Sequence, residues 1–250
     1  MRHKVRKLKA VFFDAYGTLF HYEPEKLNEV FRDIVDKFRI SVNPNDLITV
    51  WRKHEQIFRD TRTRYENGRW KSSDEFFSYK EAWKKCFELT YNEFGVDNIS
   101  ANLSVEMILE DLKKRAIYRE VPEVLKQVRS KFPIGIISNA DTDFLLDSIK
   151  NNSLGFDLIM TSEGVKSYKP HPYIFEKALE YFGADPDEVL YIGDSPLEDI
   201  IGPQKLGIPS VWVNRKGLDW SLGKENQPYA EITDLLQLLD VINSKQNISY

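Results

Sequence analysis

Leu8-Lys9-Ala10-Val11-Phe12-Phe13-Asp14-Ala15-Tyr16-Gly17-Thr18-Leu19-Phe20 decides how the chain is read. The run Val11-Phe12-Phe13 lacks the polar alternation of a half-exposed strand and predicts a central strand buried on both faces. It stops at a lone aspartate, followed by a small residue, an aromatic and Gly-Thr. In an open α/β sheet, ligands sit beyond the carboxyl ends of such strands. Asp14 falls at that edge, where an ionised carboxylate is costly unless a cation, N–H donors or a hydroxyl hold it. This stretch alone leaves two readings open: an aspartate capping the next turn, or a reactive carboxylate.

The remainder of the chain alternates between two regimes. Beyond Phe20, Leu27, Val30, Phe31, Ile34, Val35 and Phe38 recur at helical spacing, which predicts an amphipathic helix. Three further helices are expected: from Asn43 to about Arg64, ended by Asn67-Gly68; from about Ser73 to Phe94, stopped by Gly95; and from about Asn102 to Tyr118. From Val121 onward helices alternate with short apolar runs at 134–137, 156–160, 189–192 and 210–213. That alternation predicts an α/β fold with a doubly wound parallel sheet. The expected organisation is an α/β core over residues 1–20 and 119–250, with an all-helical cap inserted at 21–118. A helix over 234–242 and a polar, frayed tail to Tyr250 close the chain.

Bulk properties narrow the function classes. The 250 residues are 42% hydrophobic with a formal net charge of −4, and the charges are mixed along the chain, so no polyanion-binding surface is indicated and no nucleic acid is expected as a partner. No apolar run approaches a membrane span. The basic cluster Arg2–Lys9 reads as a solvated arm leading into the first strand rather than a signal peptide. Cys86 is the single cysteine, which precludes an intrachain disulfide and points to a cytoplasmic protein, with Cys86 itself a packing residue. The four histidines show no metal-ligand spacing. The oligomeric state is not encoded in any feature of the chain.

Four segments converge on the carboxyl edge of the predicted sheet: Asp14–Thr18, Ile137-Ser138-Asn139-Ala140, Lys166–Pro170 and Gly193–Asp199. Together they bring a nucleophile-grade carboxylate, a hydroxyl, a lysine and a second acidic pair to one pocket. A carboxylate can attack phosphorus or an sp³ carbon and form an ester that water then hydrolyses. Attack on a phosphate dianion needs charge neutralisation, which a lysine and a divalent cation supply. An oxygen-only ligand set of this kind suits Mg²⁺.

These motifs, in this order, resemble those of the haloacid dehalogenase-like hydrolase superfamily: Asp14-x-x-Gly17-Thr18-Leu19, Ser138 after an apolar strand, Lys169-Pro170, and Gly193-Asp194 with Asp199. The insertion at 21–118 lies where that superfamily carries a helical cap. The resemblance implies Asp14 as covalent nucleophile, with Ser138 and Lys169 binding the transferring group. It implies Asp14, the Tyr16 backbone carbonyl and Asp194 as Mg²⁺ ligands, with Asp199 beside them as a further candidate ligand. Thr18 and Asn139 are expected among the substrate contacts.

Two departures split the reaction class. Phosphatases of the superfamily carry a second aspartate two residues after the nucleophile, where this chain has Tyr16; a phenol of pKa about 10 is a poor base near neutrality. Asp-Ala-Tyr-Gly-Thr-Leu looks instead like the first motif of 2-haloacid dehalogenases, and Trp51-Arg52 resembles their cap segment, which makes Arg52 a substrate-binding candidate. The fourth motif pulls the other way. Dehalogenases hold a neutral Ser-Ser-Asn-type sequence where this chain has Asp194-Ser195-Pro196, and a second carboxylate beside Asp14 needs a cation. The favoured reading is a Mg²⁺-dependent phosphatase acting on a small phosphorylated metabolite. The alternatives are a metal-independent 2-haloacid dehalogenase and an inactive relative that binds a phosphorylated ligand. Arg52, Arg59, Arg62 and Arg64 in the insertion point to a small anionic substrate.

Overall fold

A computed structural model of the protein describes residues 7–246. Most of the basic arm expected over Arg2–Lys9 and the frayed tail from 247 to Tyr250 lie outside the described residues. Strand β1 (Ala10–Phe13) is buried along its whole length. It pairs in parallel with β4 (Ile134–Ser138) on one side and β6 (Val189–Gly193) on the other. With β5 (Leu158–Thr161), β7 (Ser210–Val213) and β8 (Ala230–Ile232), these form a six-stranded parallel sheet in the order β5-β4-β1-β6-β7-β8. The chain builds outward from β1 in one direction and then crosses to the other side at β6. That reversal puts the switch point between β1 and β6, where an open sheet leaves a crevice at its carboxyl edge.

Helices α5 (Val121–Arg129), α8 (Pro172–Phe182) and α10 (Leu236–Gln246) accompany this sheet, with two short turns, α7 (Ser162–Val165) and α9 (Gly202–Gln204). Phe12, Ile137 and Tyr191 from three strands pack with Ile174, Phe175 and Ala178 of α8 in one buried cluster. The Phe175 ring meets Tyr191 edge-on at 5.3 Å. Strand β8 was not expected: Ala-Glu-Ile is too short and too polar to register as a strand run.

The chain divides into two compact units. The sheet unit comprises residues up to 21, 116–139 and everything from 153 onward; the second comprises 22–115 and 140–152. This differs from the expected boundaries, because helix α6 (Thr142–Asn151) joins the inserted segment. Its contacts explain why. Ser148 Oγ donates to the Leu112 carbonyl at 3.4 Å and Asn151 Nδ2 to the Lys113 carbonyl at 3.0 Å.

The inserted unit is built on α1 (Pro24–Phe38), α2 (Pro44–Arg62), α3 (Tyr79–Phe94) and α4 (Ala101–Lys113). The α1 stripe buries Val30, Phe31, Ile34 and Val35, as the helical spacing predicts. Phe31 stacks on Phe87 and lies edge-on to Trp51, each at 5.4 Å. The expectation of an all-helical insertion needs correction. Residues Thr63–Glu66 (β2) and Arg69–Ser72 (β3) form an antiparallel hairpin, with Tyr65 opposite Trp70. Asn67 and Gly68 both take positive φ, 53° and 78°, the backbone that a two-residue hairpin turn of this twist requires. The dipeptide was legible as a breaker, while its polar flanks hid the strands.

Helix α3 begins at Tyr79 rather than near Ser73. Ser78 and Glu81 form a reciprocal capping box, so the signal was present in the sequence as Ser-Tyr-Lys-Glu. A second anchor comes from far along the chain: Asp141 accepts from the Tyr79 and Lys80 backbone N–H groups at 2.7 and 2.8 Å. Among the described residues, no helix is long and apolar enough to cross a membrane.

Asp141 is buried and accepts from two of the four N–H groups that a helix start leaves unpaired. Replacement Asp141→Ala leaves both without an acceptor and is expected to destabilise the fold by about 1–3 kcal/mol. Urea denaturation of both proteins measures this, and an unchanged midpoint would refute the double-cap account.

Candidate active site

The site is assembled within the sheet unit, at the crevice between β1 and β6. The Asp14 backbone N–H donates to the Ile192 carbonyl at 2.8 Å, which fixes the carboxylate at the strand end. The chain then turns sharply, with the Leu19 and Phe20 N–H groups both returning to the Ala15 carbonyl. Gly17 sits at φ 95°, a conformation that glycine adopts without steric cost. Space also requires it, since a methyl group there would lie 2.3 Å from Asp194 Oδ2. The loops bearing Asp14 and Asp194 therefore touch through a position that tolerates no side chain.

Lys169 is 1% exposed, and its Nζ is shared among three acceptors. It donates to Asp14 Oδ1 at 2.6 Å, Asp199 Oδ1 at 2.7 Å and the Tyr191 hydroxyl at 2.9 Å. The loop carrying Lys169, with a cis Lys169–Pro170 bond, is bracketed by Asn139. Asn139 Oδ1 accepts the Lys169 N–H at 2.8 Å, while Nδ2 donates to the Lys169 carbonyl at 3.1 Å and to Glu198 Oε2 at 2.9 Å. Its amide is thus engaged by the chain itself, and the expectation of Asn139 as a substrate contact gives way to a positioning role. Ser138 is buried at the end of β4, level with Thr161 of β5.

Asp194 follows β6 directly. Its backbone carbonyl accepts the Trp212 indole N–H at 2.9 Å, and its carboxylate meets the Thr18 hydroxyl at 3.4 Å. Asp199 lies in a wide, π-type helical turn, Pro196–Ile201. Both its oxygens are engaged: Oδ2 accepts the Ser195 N–H at 2.9 Å, and Oδ1 accepts from Lys169 and from the Tyr191 hydroxyl at 3.0 Å. Carboxylate oxygens of Asp14, Asp194 and Asp199 come within 4.8 Å of one another. Three carboxylates thus crowd around one ammonium, which pairs with two of them.

The electrostatics follow from that imbalance. Burial pushes the Asp14 carboxyl up to about 7, against the pull of Lys169. Burial, and then the Asp14 and Asp199 charges, hold Asp194 well above the usual carboxylate range. Burial alone would lower Lys169, but the Asp14 and Asp199 carboxylates outweigh it and keep the ammonium charged. Lys169 pairs with Asp14 and Asp199 and leaves the Asp194 charge as a surplus beside them, an arrangement that suits a hard cation.

Tyr16 is half-buried, with its ring 5.5 Å from that of Phe20. Arg52 belongs to the other unit, where it donates to Asn28 Oδ1 at 3.0 Å. Arg62, expected to select an anion, is buried there instead, hydrogen-bonded to the Tyr79 hydroxyl at 2.5 Å and stacked near Phe58. Four residues around the site escaped sequence reasoning: Tyr191, Glu198, Trp212 and Arg215. Arg215 stacks 3.5 Å over Tyr118, pairs with Glu120 at 2.8 Å and donates to the Thr18 carbonyl at 3.0 Å. Tyr191 and Trp212 left a signal, a polar tip within a buried strand.

Comparison with known proteins gives the family. Residues 8–207 match the family model described as haloacid dehalogenase-like hydrolase. A glyceraldehyde 3-phosphate phosphatase from Pyrococcus furiosus is 29% identical over 249 residues, covering 95% of this chain and 94% of its own. Haloacetate dehalogenase H-2 from Moraxella sp. (strain B) is 23% identical over 218 residues, 85% of this chain and 88% of its own. The crystal structure of a 2-haloacid dehalogenase from Pseudomonas syringae pv. Tomato DC3000 superposes with a TM-score of 0.70 at 22% identity, covering 95% of this chain and 99% of that one; at that identity the likeness concerns the fold. With a family model matched over residues 8–207, the chain belongs to the haloacid dehalogenase-like hydrolases.

Proposed function

We propose that this hydrolase is a Mg²⁺-dependent phosphatase acting on a small phosphorylated metabolite through an Asp14 phospho-enzyme. The observation that carries the reading is Asp194. Its carboxylate stands against Asp14 and Asp199, meets only the neutral Thr18 hydroxyl as a side-chain partner, and has no ion pair among the described residues. Hard carboxylate donors with surplus negative charge suit Mg²⁺. Asp14 and Asp194 would hold it, with the Tyr16 carbonyl as the third protein ligand. Asp199, already engaged by Lys169, Tyr191 and Ser195, serves to orient the lysine. When bound, Mg²⁺ supplies positive charge to the phosphoryl oxygens.

The chain's own residues divide the remaining work. Lys169 holds Asp14 Oδ1, orients the carboxyl and favours its ionised form against the burial that raises it. Asp14 attacks phosphorus; as its O–P bond forms, the bond to the leaving oxygen breaks. The leaving oxygen takes its proton from solvent, because Tyr16 offers no carboxylic acid. Water then attacks the phospho-aspartate, releases phosphate and a proton, and restores Asp14. General acid–base help is worth roughly 10²–10⁴-fold, so substrates with good leaving groups are favoured.

A second reading, a metal-independent 2-haloacid dehalogenase, draws support from Tyr16, from Trp51-Arg52 and from the dehalogenases among the relatives. Against it stand the Asp194 charge and Pro196, which has no amide to position a water.

Phosphate esters and 2-chloropropionate, each assayed with Mg²⁺ and with a chelator, separate these readings. Phosphate release that stops on chelation, with no halide from 2-chloropropionate, is expected. Halide release that survives chelation would replace the phosphatase with the dehalogenase, and phosphate binding without any turnover would indicate the inactive relative. Asp14→Asn is expected to lower turnover by roughly a thousandfold or more.

Protons compete with the cation for Asp14, whose pKa is about 7, and for Asp194, which is raised as well. Binding the metal releases those protons. The Mg²⁺ concentration for half-maximal activity is therefore expected to rise as the pH falls from about 8 to about 6; titrating Mg²⁺ at several pH values measures it, and a pH-independent midpoint would contradict the assignment. Tyr191→Phe removes one acceptor from Lys169 and one donor to Asp199 while keeping the ring. Turnover about tenfold lower with an intact fold is expected, checked by kcat beside circular dichroism.

A further inference from the structure

The end of strand β7 holds two loops of the site from behind, although none of its residues takes part in the proposed chemistry. Asn214, the residue after the strand, is buried, and its N–H donates to the Ile232 carbonyl of β8 at 2.7 Å. Its amide closes the turn that follows. Nδ2 donates to the Leu218 carbonyl at 2.8 Å and to Glu231 Oε1 of β8 at 2.6 Å, while Oδ1 accepts the Leu218 N–H at 2.9 Å. Arg215 therefore projects from a fixed base, and the short strand β8 supplies part of that base.

The Arg215 guanidinium meets three groups from the early part of the sheet unit. Nη2 donates to the Thr18 carbonyl at 3.0 Å, Nη1 lies 2.8 Å from Glu120 Oε1, and the plane stands 3.5 Å over the Tyr118 ring. Tyr118 is tied to the same loop, since its N–H donates to the Leu19 carbonyl at 3.0 Å and its ring packs on His21 at 4.0 Å. A flat guanidinium fork can stack and donate in two directions at once; an ammonium cannot. Three residues earlier, the Trp212 indole N–H donates to the Asp194 carbonyl at 2.9 Å. The loops so held meet face to face: the Thr18 hydroxyl lies 3.4 Å from Asp194 Oδ1, and Gly17 approaches Asp194 too closely for any side chain.

We propose that Arg215 is a positioning residue: with Trp212, it sets the spacing between the Asp14 loop and the Asp194 loop, and thereby the affinity of the pair for a divalent cation. The cation rests on the Mg²⁺ reading above, whereas the clasp rests on geometry alone. Mg²⁺ demands near-ideal octahedral ligands at about 2.0–2.1 Å, so a small drift of one loop against the other weakens its binding. Arg215 is poorly suited to anchor an anionic substrate itself. Its charge is matched by Glu120, and two of its nitrogens are engaged by the chain.

Hydrogen–deuterium exchange of the full chain, read by mass spectrometry on peptides spanning 14–20, tests the clasp; calorimetric titration with MgCl₂ tests its effect on the cation. The Gly17, Leu19 and Phe20 N–H groups all bond within this loop. Arg215→Gln is expected to speed their exchange about tenfold, with β5 unchanged, and to weaken Mg²⁺ binding several-fold, roughly the loss of one ligand's alignment. Arg129→Gln is the control: Arg129 likewise joins a carbonyl, that of Gly155, to a carboxylate, that of Asp157, and its loss is expected to alter neither readout. Should Arg215→Gln not fold, Arg215→Lys keeps a charge opposite Glu120 without the flat fork and is expected to speed loop exchange several-fold. Loop exchange that stays unchanged in a folded Arg215 variant, or that rises equally in every strand, overturns the proposal. So does Mg²⁺ binding that is undiminished where loop exchange has risen. A wild-type chain that takes up no Mg²⁺ defeats the phosphatase reading instead, and the exchange pattern still decides whether Arg215 holds the loop.

Discussion

One buried ammonium holds the catalytic edge together. Lys169 Nζ reaches a carboxylate that ends β1, a carboxylate from the turn after β6 and a hydroxyl from within β6. A lysine fixed at three points loses nearly all its rotamer freedom, and that cost is met only because each partner is itself held. Asn139 brackets its backbone, Ser195 holds Asp199, and the sheet holds Tyr191. Removing any of these partners leaves a buried charge less well matched, which is more damaging than the loss of one hydrogen bond. The neutral members of the cradle thereby acquire an importance that their chemistry alone would not suggest.

The same arrangement suits both chemistries named among the chain's relatives. A lysine-bound aspartate at a strand end can attack phosphorus or carbon. What separates the two readings here is a charge at the end of the neighbouring strand: Asp194 adds a carboxylate that Lys169 does not contact. Tyr16 and Asp194 pull toward different reactions, yet only Asp194 creates an electrostatic debt in the folded protein. Tyr16 packs on Phe20, ring centroids 5.5 Å apart.

Much of this was legible in the sequence because it depends on local pattern. Val11-Phe12-Phe13 announced the central strand, and Asp14, Ser138, Lys169 and Asp194 each announced a strand end or the loop beside it. What escaped depends on distance in the chain. Asp141 caps a helix some sixty residues upstream, and no periodicity links the two. Helix α6 was expected in the α/β core because its neighbours in sequence are strands, whereas its own contacts are with α4. The hairpin at 63–72 was hidden for another reason: its strands are short and charged, and only Asn67-Gly68 spoke for them. Asn139 looked like a ligand contact because it stands beside Ser138, and only tertiary geometry shows its amide clasping the lysine loop.

The sheet order carries a consequence for how the protein is made. Strand β1 is synthesised first, yet its two neighbours are β4 and β6, more than a hundred residues later, and the Lys169–Asp14 pair spans 155 positions. A nascent chain emerges at about 5–20 residues per second, so an apolar strand with both edges unpaired waits many seconds for its partners. Contacts this remote also slow folding. The intervening helices, which pair largely among themselves, have time to form first. A fully buried strand of the mature protein is thus the one exposed longest during its birth, and a ribosome that stalls before β6 releases a chain with Asp14 but with neither Asp194 nor Asp199 beside it.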